Sequence, residues 1–292
     1  MAQTAILFPN SPPNSQVENQ RVGAAVALVK ILTMSTMMMT CIMLEVMIGL
    51  TINRPAVYNA FRFQTLVELT EAIMKAGYDN NIGSIVLTGA GDKAFCTGGD
   101  QSDHDGQYTG NRGTLGMPVE ELHTAMRDVP KPVIAMVRGY AIGGGNVLAT
   151  LCDMTIASDT AVFGQVGPKV GSVDPGFGTA YLARVVGEKK AREMWYLCRR
   201  YPATEALAMG LVNAVVPDAD LDAEVRRWCD EIMERSPTAL TIAKRSFNAD
   251  SENIRGIGSL GMQALALYYR SDESKEGVRA FHEKRKPNFR KR

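Results

Sequence analysis

The sequence predicts an α/β fold, a parallel sheet built from alternating strands and helices and joined to a helical C-terminal region. Three observations predict it. From residue 47 to about 163, short apolar and β-branched runs alternate with stretches of helical periodicity. Two strand-like runs lead into glycine-rich turns, Thr97-Gly98-Gly99-Asp100-Gln101 and Gly139-Tyr140-Ala141-Ile142-Gly143-Gly144-Gly145. After about residue 176 strand signals nearly vanish and helical patterns follow one another to the end.

Taken in order, residues 47–52 read as a first strand, stopped by Arg54-Pro55. Residues 62–76 carry Leu66, Leu69 and Ile73 at helical spacing and close at Gly77, a C-cap candidate. Residues 84–88 are a strand, and 118–128 a helix ended by Pro130. The strand at 133–137 runs toward the triple-glycine turn, where a helix over 144–151 begins. Short strands at 154–157 and 161–163 follow. Helical patterns then cover 178–186, 188–197, 204–209, 221–234, 237–248, 254–270 and 273–284, with 214–216 the one strand-like run. The apolar stripe on 254–269 suits core packing and would equally cover a subunit interface. The chain thus divides into an N-terminal extension (1–46), an α/β core (47–200) and a helical region (201–292).

With 292 residues and 46% hydrophobic content, the chain has ample material for a large core. A net charge of +1 argues against a dedicated nucleic-acid binder. The basic run 284–292 reads either as a solvated tail or as a phosphate contact. Five scattered cysteines without a CxxC pair suggest reduced thiols and a cytoplasmic home. No metal-ligand spacing is present, and Asp103-His104-Asp105 sits in a polar loop expected to face solvent. Residues 8–22 are rich in Pro, Asn, Ser and Gln and read as a disordered tail. Residues 23–50 are long enough for a membrane span, but Lys30, Glu45 and several hydroxyl residues interrupt them. An extension leading into the first strand, with no membrane anchor and no preceding hairpin, is the expectation.

Three glycine-rich segments carry the chemistry. A strand that breaks into consecutive glycines leaves bare N–H groups, with no Cβ to hold a ligand off. Gly99 stands in such a turn. Gly144 stands at a helix N-terminus, where free N–H groups and the helix dipole favour negative charge. Two such donors converging on one oxygen form an oxyanion hole. The spacing is not the GxGxxG of a dinucleotide site and there is no Walker lysine. The third segment, Gly164-Gln165-Val166-Gly167-Pro168-Lys169-Val170-Gly171-Ser172-Val173-Asp174-Pro175-Gly176, is a bent loop whose single acid is Asp174, two residues after Ser172. Two readings of Asp174 stand side by side: a cap for the following helix, or an acid/base group.

Ala94-Phe95-Cys96-Thr97-Gly98-Gly99-Asp100, the 139–145 turn and Phe163-Gly164-Gln165 together resemble the crotonase (enoyl-CoA hydratase/isomerase) superfamily, over residues 49–292. The resemblance implies a spiral of ββα turns with a C-terminal helical region that builds a homotrimer or homohexamer. It implies an acyl-CoA thioester substrate, coenzyme A as part of that substrate, and no tightly bound cofactor. It also implies a thioester enolate held between two backbone N–H groups, which map onto Gly99 and Gly144. The superfamily's hydratases use two glutamates; Val147 and Gly167 stand at those positions, and neither can move a proton.

The segments Gly99-Asp100-Gln101, Gly164 to Lys169, Val170 to Asp174 and Gly187-Glu188-Lys189-Lys190-Ala191-Arg192-Glu193 look like the 1,4-dihydroxy-2-naphthoyl-CoA synthase branch. Within it, Asp100-Gln101-Ser102-Asp103-His104-Asp105-Gly106, Glu120-Glu121-Leu122-His123-Thr124 and Ser172-Val173-Asp174-Pro175-Gly176 are most similar to hydrolases that open a cyclic β-keto acyl-CoA. That likeness implies Asp174 as acid/base, oriented by Ser172, and Tyr269 as a tyrosine donated by a neighbouring subunit. It implies Lys284 at the CoA phosphates and Asp100, Gln101 and Tyr108 around the substrate. The synthases hold a bicarbonate base with residues equivalent to Gln165, Val166 and Trp195. Valine replaces their threonine at 166, so one ligand of the ion is missing and room is left for a water. Tyr58 stands where synthases often place a basic CoA contact. The expected reaction is hydrolytic C–C cleavage; the alternatives are the reverse, intramolecular Claisen condensation, and then either another enoyl-CoA hydratase/isomerase activity or a non-catalytic binding module of the same fold.

Overall fold

The computed structural model describes residues 39–44, 47–101 and 110–290. β1 (Met39–Leu44) and β2 (Met47–Ile52) form an antiparallel hairpin, followed by α1 (Phe63–Tyr78). Three spiral turns come next, each a strand, a shorter strand and a helix. They are β3 (Ser84–Gly89), β4 (Ala94–Cys96) and α2 (Val119–Asp128); β5 (Val133–Val137), β6 (Tyr140–Ile142) and α3 (Gly144–Leu151); and β7 (Met154–Ser158), β8 (Val162–Gly164) and α4 (Gly167–Val170). A π-helical turn at Phe177–Tyr181 runs into α5 (Leu182–Val186) and α6 (Glu188–Leu197). Then follow β9 (Arg200–Pro202), α7 (Ala203–Ala208), β10 (Ala214–Val216), α8 (Leu221–Met233), α9 (Pro237–Asp250), α10 (Asn253–Tyr268) and α11 (Asp272–His282).

The longer strands, with the three-residue β10 at one edge, make one sheet in the order β1-β2-β3-β5-β7-β10, parallel except at β1. The shorter ones make a second sheet, β4-β6-β8-β9, parallel except at β9. β2 alternates, burying Ile48, Leu50 and Ile52 in one core with Leu66, Leu69 and Ile73 of α1. Each such side chain contributes about 1.5–3 kcal/mol on burial. β3 is buried on both faces, as an inner strand of a helix-covered parallel sheet must be. Because every spiral turn gives one strand to each sheet, the ends of β4, β6 and β8 lie side by side. The cavity opens at those three ends.

The sequence expectations need four corrections. β1 supplies the hairpin that was not expected before the first strand. The first glycine turn is fed by β4, not directly by the strand at 84–88, and the second contains β6. β9 adds a strand in a stretch read as purely helical. Gly77 lies inside α1, not at its cap: an added Cβ would sit 2.3 Å from Val129 Cγ1, so close helix packing explains it. The C-terminal helices fall within a few residues of their expected spans. Residues 1–38, the loop containing Asp103-His104-Asp105, and Tyr108 lie outside the described residues. Among the described residues, no helix is long and apolar enough to cross a membrane.

Candidate active site

The two glycine turns meet because β4 and β6 are paired neighbours. Phe61 bridges to Gly99 like a single residue of a parallel strand: its N–H donates to Gly98 O at 2.8 Å and its carbonyl accepts from Asp100 N–H at 2.8 Å. In that pairing alternate residues face opposite sides. Gly99 N–H therefore points away from Phe61, and it finds no acceptor among the described residues. Gly144 is the first residue of α3, and its N–H finds no acceptor among the described residues, as every helix start leaves orphan donors.

Close approach dictates the glycines. A Cβ on Gly98, which has φ +87°, would stand 2.9 Å from Gly144 N, and one on Gly145 would stand 1.9 Å from Cys96 O. Asp100 is buried beside this turn and pairs with Arg54 at 2.7 Å, while Gln101 Nε2 donates to Gly99 O at 3.3 Å. Two amide donors thus open side by side into a cavity of about 750 Å³.

The end of β8 delivers Gln165 next to them. Its amide is 1% exposed, and neither Oε1 nor Nε2 has a partner among the described residues. A buried amide left unpaired is costly, so a polar ligand at this point is the natural occupant. Trp195, the other residue tied by resemblance to bicarbonate, lines the cavity but donates its Nε1–H to Gly178 O.

The loop after α4 forms a side-chain wall. Asp174 Oδ1 accepts from Gly178 N–H at 2.9 Å, a contact to the first turn of the following helix although Gly176, not Asp174, is its N-cap residue, and Asp174 also lines the cavity. Burial pushes its pKa up to about 7, partly offset by that hydrogen bond. Ser172 Oγ shares a 2.8 Å hydrogen bond with Tyr269 Oη. Burial raises the tyrosine to about 12, with the Ser172 bond lowering it and the charge of Asp174 adding to the rise. Tyr269 reaches the cavity from its own chain, just past α10, which corrects the expectation of a tyrosine from a neighbouring subunit.

The hydratase glutamate positions are closed to such a side chain. A Cβ on Gly167 would meet Ser172 O at 2.5 Å and Trp195 Cζ3 at 2.8 Å, and Val147 is buried in the core. Lys284 is exposed beyond α11 and does not line the cavity, whereas Phe281 and His282 do.

Several lining residues escaped the sequence reading. Leu115, Val119 and Val173 pack with Met262, Leu265 and Tyr269 as an apolar wall. The i, i+3, i+7 spacing of the last three was visible, but it does not say that part of a helix stripe faces a cavity. At the mouth, Tyr58 packs obliquely on Tyr140, with ring centroids 6.4 Å apart, and the Arg200 guanidinium lies 5.3 Å from the Tyr140 ring. Together with Lys169, Arg200 puts positive charge on this side, which Tyr58 does not.

A double-sheet spiral whose strand ends aim paired amide donors into one cavity is the layout of enzymes that bind a developing oxyanion. Comparison with known proteins takes the assignment further. The family model for enoyl-CoA hydratase/isomerase matches residues 45–292, and the chain belongs to that family, as an acyl-CoA-processing enzyme of the hydratase/isomerase type. It is similar to the crystal structure of an enoyl-CoA hydratase from Mycobacterium avium subsp. paratuberculosis K-10. That match has 28% identity and a TM-score of 0.78, covering 88% of this chain and 100% of the other. An enoyl-CoA hydratase/carnithine racemase from Magnetospirillum magneticum matches at 30% identity and a TM-score of 0.68, over 88% of this chain and 96% of its own. The enoyl-CoA hydratase of Bacillus anthracis matches at 28% and 0.65, over 86% and 98%.

Proposed function

We propose that the protein is a hydrolase of the naphthoyl-CoA synthase branch, which cleaves a ring carbon–carbon bond in a cyclic β-keto acyl-CoA. The substrate that fits the reading is 2-ketocyclohexanecarboxyl-CoA and the product is pimeloyl-CoA. One observation carries the reading. A carboxyl poised near pH 7, Asp174, shares a cavity with two free amide donors, and both hydratase glutamate positions lack a carboxylate.

The steps follow from those groups. Asp174, as carboxylate, takes a proton from a water held near the Gln165 amide, and the resulting hydroxide adds to the ring ketone. The bond between that carbon and the α-carbon then breaks. Its electron pair moves into the thioester, whose enolate oxygen lies between the N–H groups of Gly99 and Gly144. Each donor is worth roughly 3 kcal/mol in the barrier, as oxyanion-hole donors are elsewhere. Protonation of the α-carbon, by Asp174 or by Tyr269 with Ser172 beside it, releases the dicarboxylic acyl-CoA. An acid/base group works best when its pKa lies near the working pH.

Water at Gln165, not bicarbonate, agrees with Val166 and with a Trp195 N–H already engaged by Gly178. No tightly bound cofactor enters these steps. Ile257, Leu260 and Leu267 leave an exposed apolar edge on α10, which supports a homotrimer or homohexamer. A cytoplasmic enzyme acting on a thioester suits the reduced cysteines. The test is a panel of CoA thioesters with products separated by chromatography. Pimeloyl-CoA from the cyclic β-keto thioester is expected. Naphthoate ester from succinylbenzoyl-CoA, with no ring opening, would assign the condensation instead.

A further inference from the structure

Behind the Asp174 loop lies a cluster that the proposed chemistry does not use. The π-helical turn at Phe177–Tyr181 is closed by Tyr181 N–H donating to Gly176 O at 3.0 Å. Such turns are rare and gather at functional sites. This one presents the Gly178 N–H to Asp174. The guanidinium carbon of Arg127, on α2, lies 5.3 Å from the ring centroids of both Phe177 and Tyr181. Arg127 is 2% exposed, and among the described residues its charge meets ring faces and neutral oxygens, not a carboxylate.

Its Nη2 donates to Asn248 O at 3.0 Å and Ser251 Oγ at 2.8 Å, while Nε has no acceptor among the described residues. His123, one helical turn earlier, packs edge-on against Phe177 at 5.3 Å, and burial holds its imidazole down to about 4. A buried cation without an anion is expensive to desolvate, and a merely structural contact here is made as well by an apolar side chain.

We infer that Arg127 is a positioning residue for Asp174: by gripping Phe177 and Tyr181 it fixes the π turn and aims Gly178 N–H at the Asp174 carboxyl. The inference rests on the reading of Asp174 as the acid/base group. Through Asn248 and Ser251 the same guanidinium ties the turn to the end of α9, so the loop and the helical region are held in one register. The titratable and charged groups facing the cavity with Asp174 are Tyr269, Tyr58, Tyr140, Asp100 with Arg54, Lys169, Arg200 and His282; on the α2 side, besides Arg127 itself, the group is His123.

The experiment uses the full chain with ¹³C-carboxyl aspartate, the Asp174 signal being identified by its loss in Asp174→Asn. In Arg127→Met the carboxyl titrates at higher pH, and its ionised fraction at pH 7 falls about three-fold, because a hydrogen bond to the charged form is lost. Turnover falls about ten-fold with KM within about two-fold, and Arg127→Lys recovers only part of it. Phe177→Leu, which leaves Arg127 in place and removes the ring it holds, moves the titration the same way; it decides the matter if Arg127→Met does not fold. A midpoint unchanged or lowered in the folded variants overturns the inference. If the midpoint rises while the wild-type protein opens no cyclic β-keto thioester, the positioning role stands and the proposed reaction falls.

Discussion

The two walls of the cavity are made in different ways. The Gly99 and Gly144 wall is backbone, held by strand pairing between consecutive turns of the spiral. The Asp174 wall is side chain, held by packing from α2, α6 and the C-terminal helices, far away in sequence. On the proposed reading the first wall sets the kind of intermediate, and an added Cβ at Gly98, Gly144 or Gly145 would clash there. On the same reading the second sets which proton moves, and its geometry rests on contacts that a substitution can loosen by degrees. Changes to the backbone wall should therefore abolish function together with stability. Changes to the side-chain wall should separate the two.

The largest effect is expected at Gly145. Gly145→Ala puts a Cβ within 1.9 Å of Cys96 O, so α3 must part from β4. A loss of about 3–5 kcal/mol in thermal or denaturant unfolding is expected, with no measurable turnover. Asp174→Asn should keep the fold while lowering kcat on the order of 10²–10⁴-fold, with KM little changed and the pH limb near 7 gone from the rate profile.

Next comes Tyr269→Phe. It removes the hydroxyl bonded to Ser172 and should cost about ten- to a hundred-fold in kcat at unchanged unfolding temperature. Gly261→Ala sharpens the comparison from a distance, since its Cβ would lie 2.2 Å from Pro175 Cβ, next to Asp174. A modest destabilisation of about 1–2 kcal/mol, with turnover falling about ten-fold, would show that α10 seats the loop.

The last effect leaves turnover aside and is a pH dependence of stability. The Asp174 carboxyl goes from its ordinary 3.8 to about 7 on folding. Between those values the folded protein holds a proton that the unfolded chain has released, so stability falls as pH rises through the window. Asp174→Asn lacks this loss. At pH 8 it should exceed the wild type by on the order of 2 kcal/mol, after allowance for partial exposure, and at low pH the difference should vanish. Equal pH dependence in urea melts of the two proteins would contradict the buried carboxyl.

The same contrast explains what was legible in the sequence. β2, β5 and α6 were read to the residue, because strong apolar runs or helical spacing sit between clear breakers. In the second sheet only β8 was expected, one residue out of register, since strands as short as β4, β6 and β9 show no alternation; β10, equally short, stood out as an apolar run. Gly99 and Gly144 were legible because backbone function leaves a compositional mark. From the residues alone Asp174 and Ser172 were legible as polar members of a glycine-rich loop, and only the family resemblance gave them roles. That Tyr269 meets Ser172 within one chain, that Gln165 is buried with both amide atoms unpaired, and that Arg127 backs the π turn depend on long-range packing. No local pattern encodes those contacts.

The most direct test of the central claim is isotopic. Purified protein is incubated with 2-ketocyclohexanecarboxyl-CoA in H₂¹⁸O, and the acyl product is weighed by mass spectrometry. Pimeloyl-CoA with a single ¹⁸O from solvent incorporated into the new carboxyl group, formed by the wild type and not by Asp174→Asn, is the predicted result. Recovery of intact cyclic thioester, or label entering by release of free CoA from the thioester carbonyl, would contradict it.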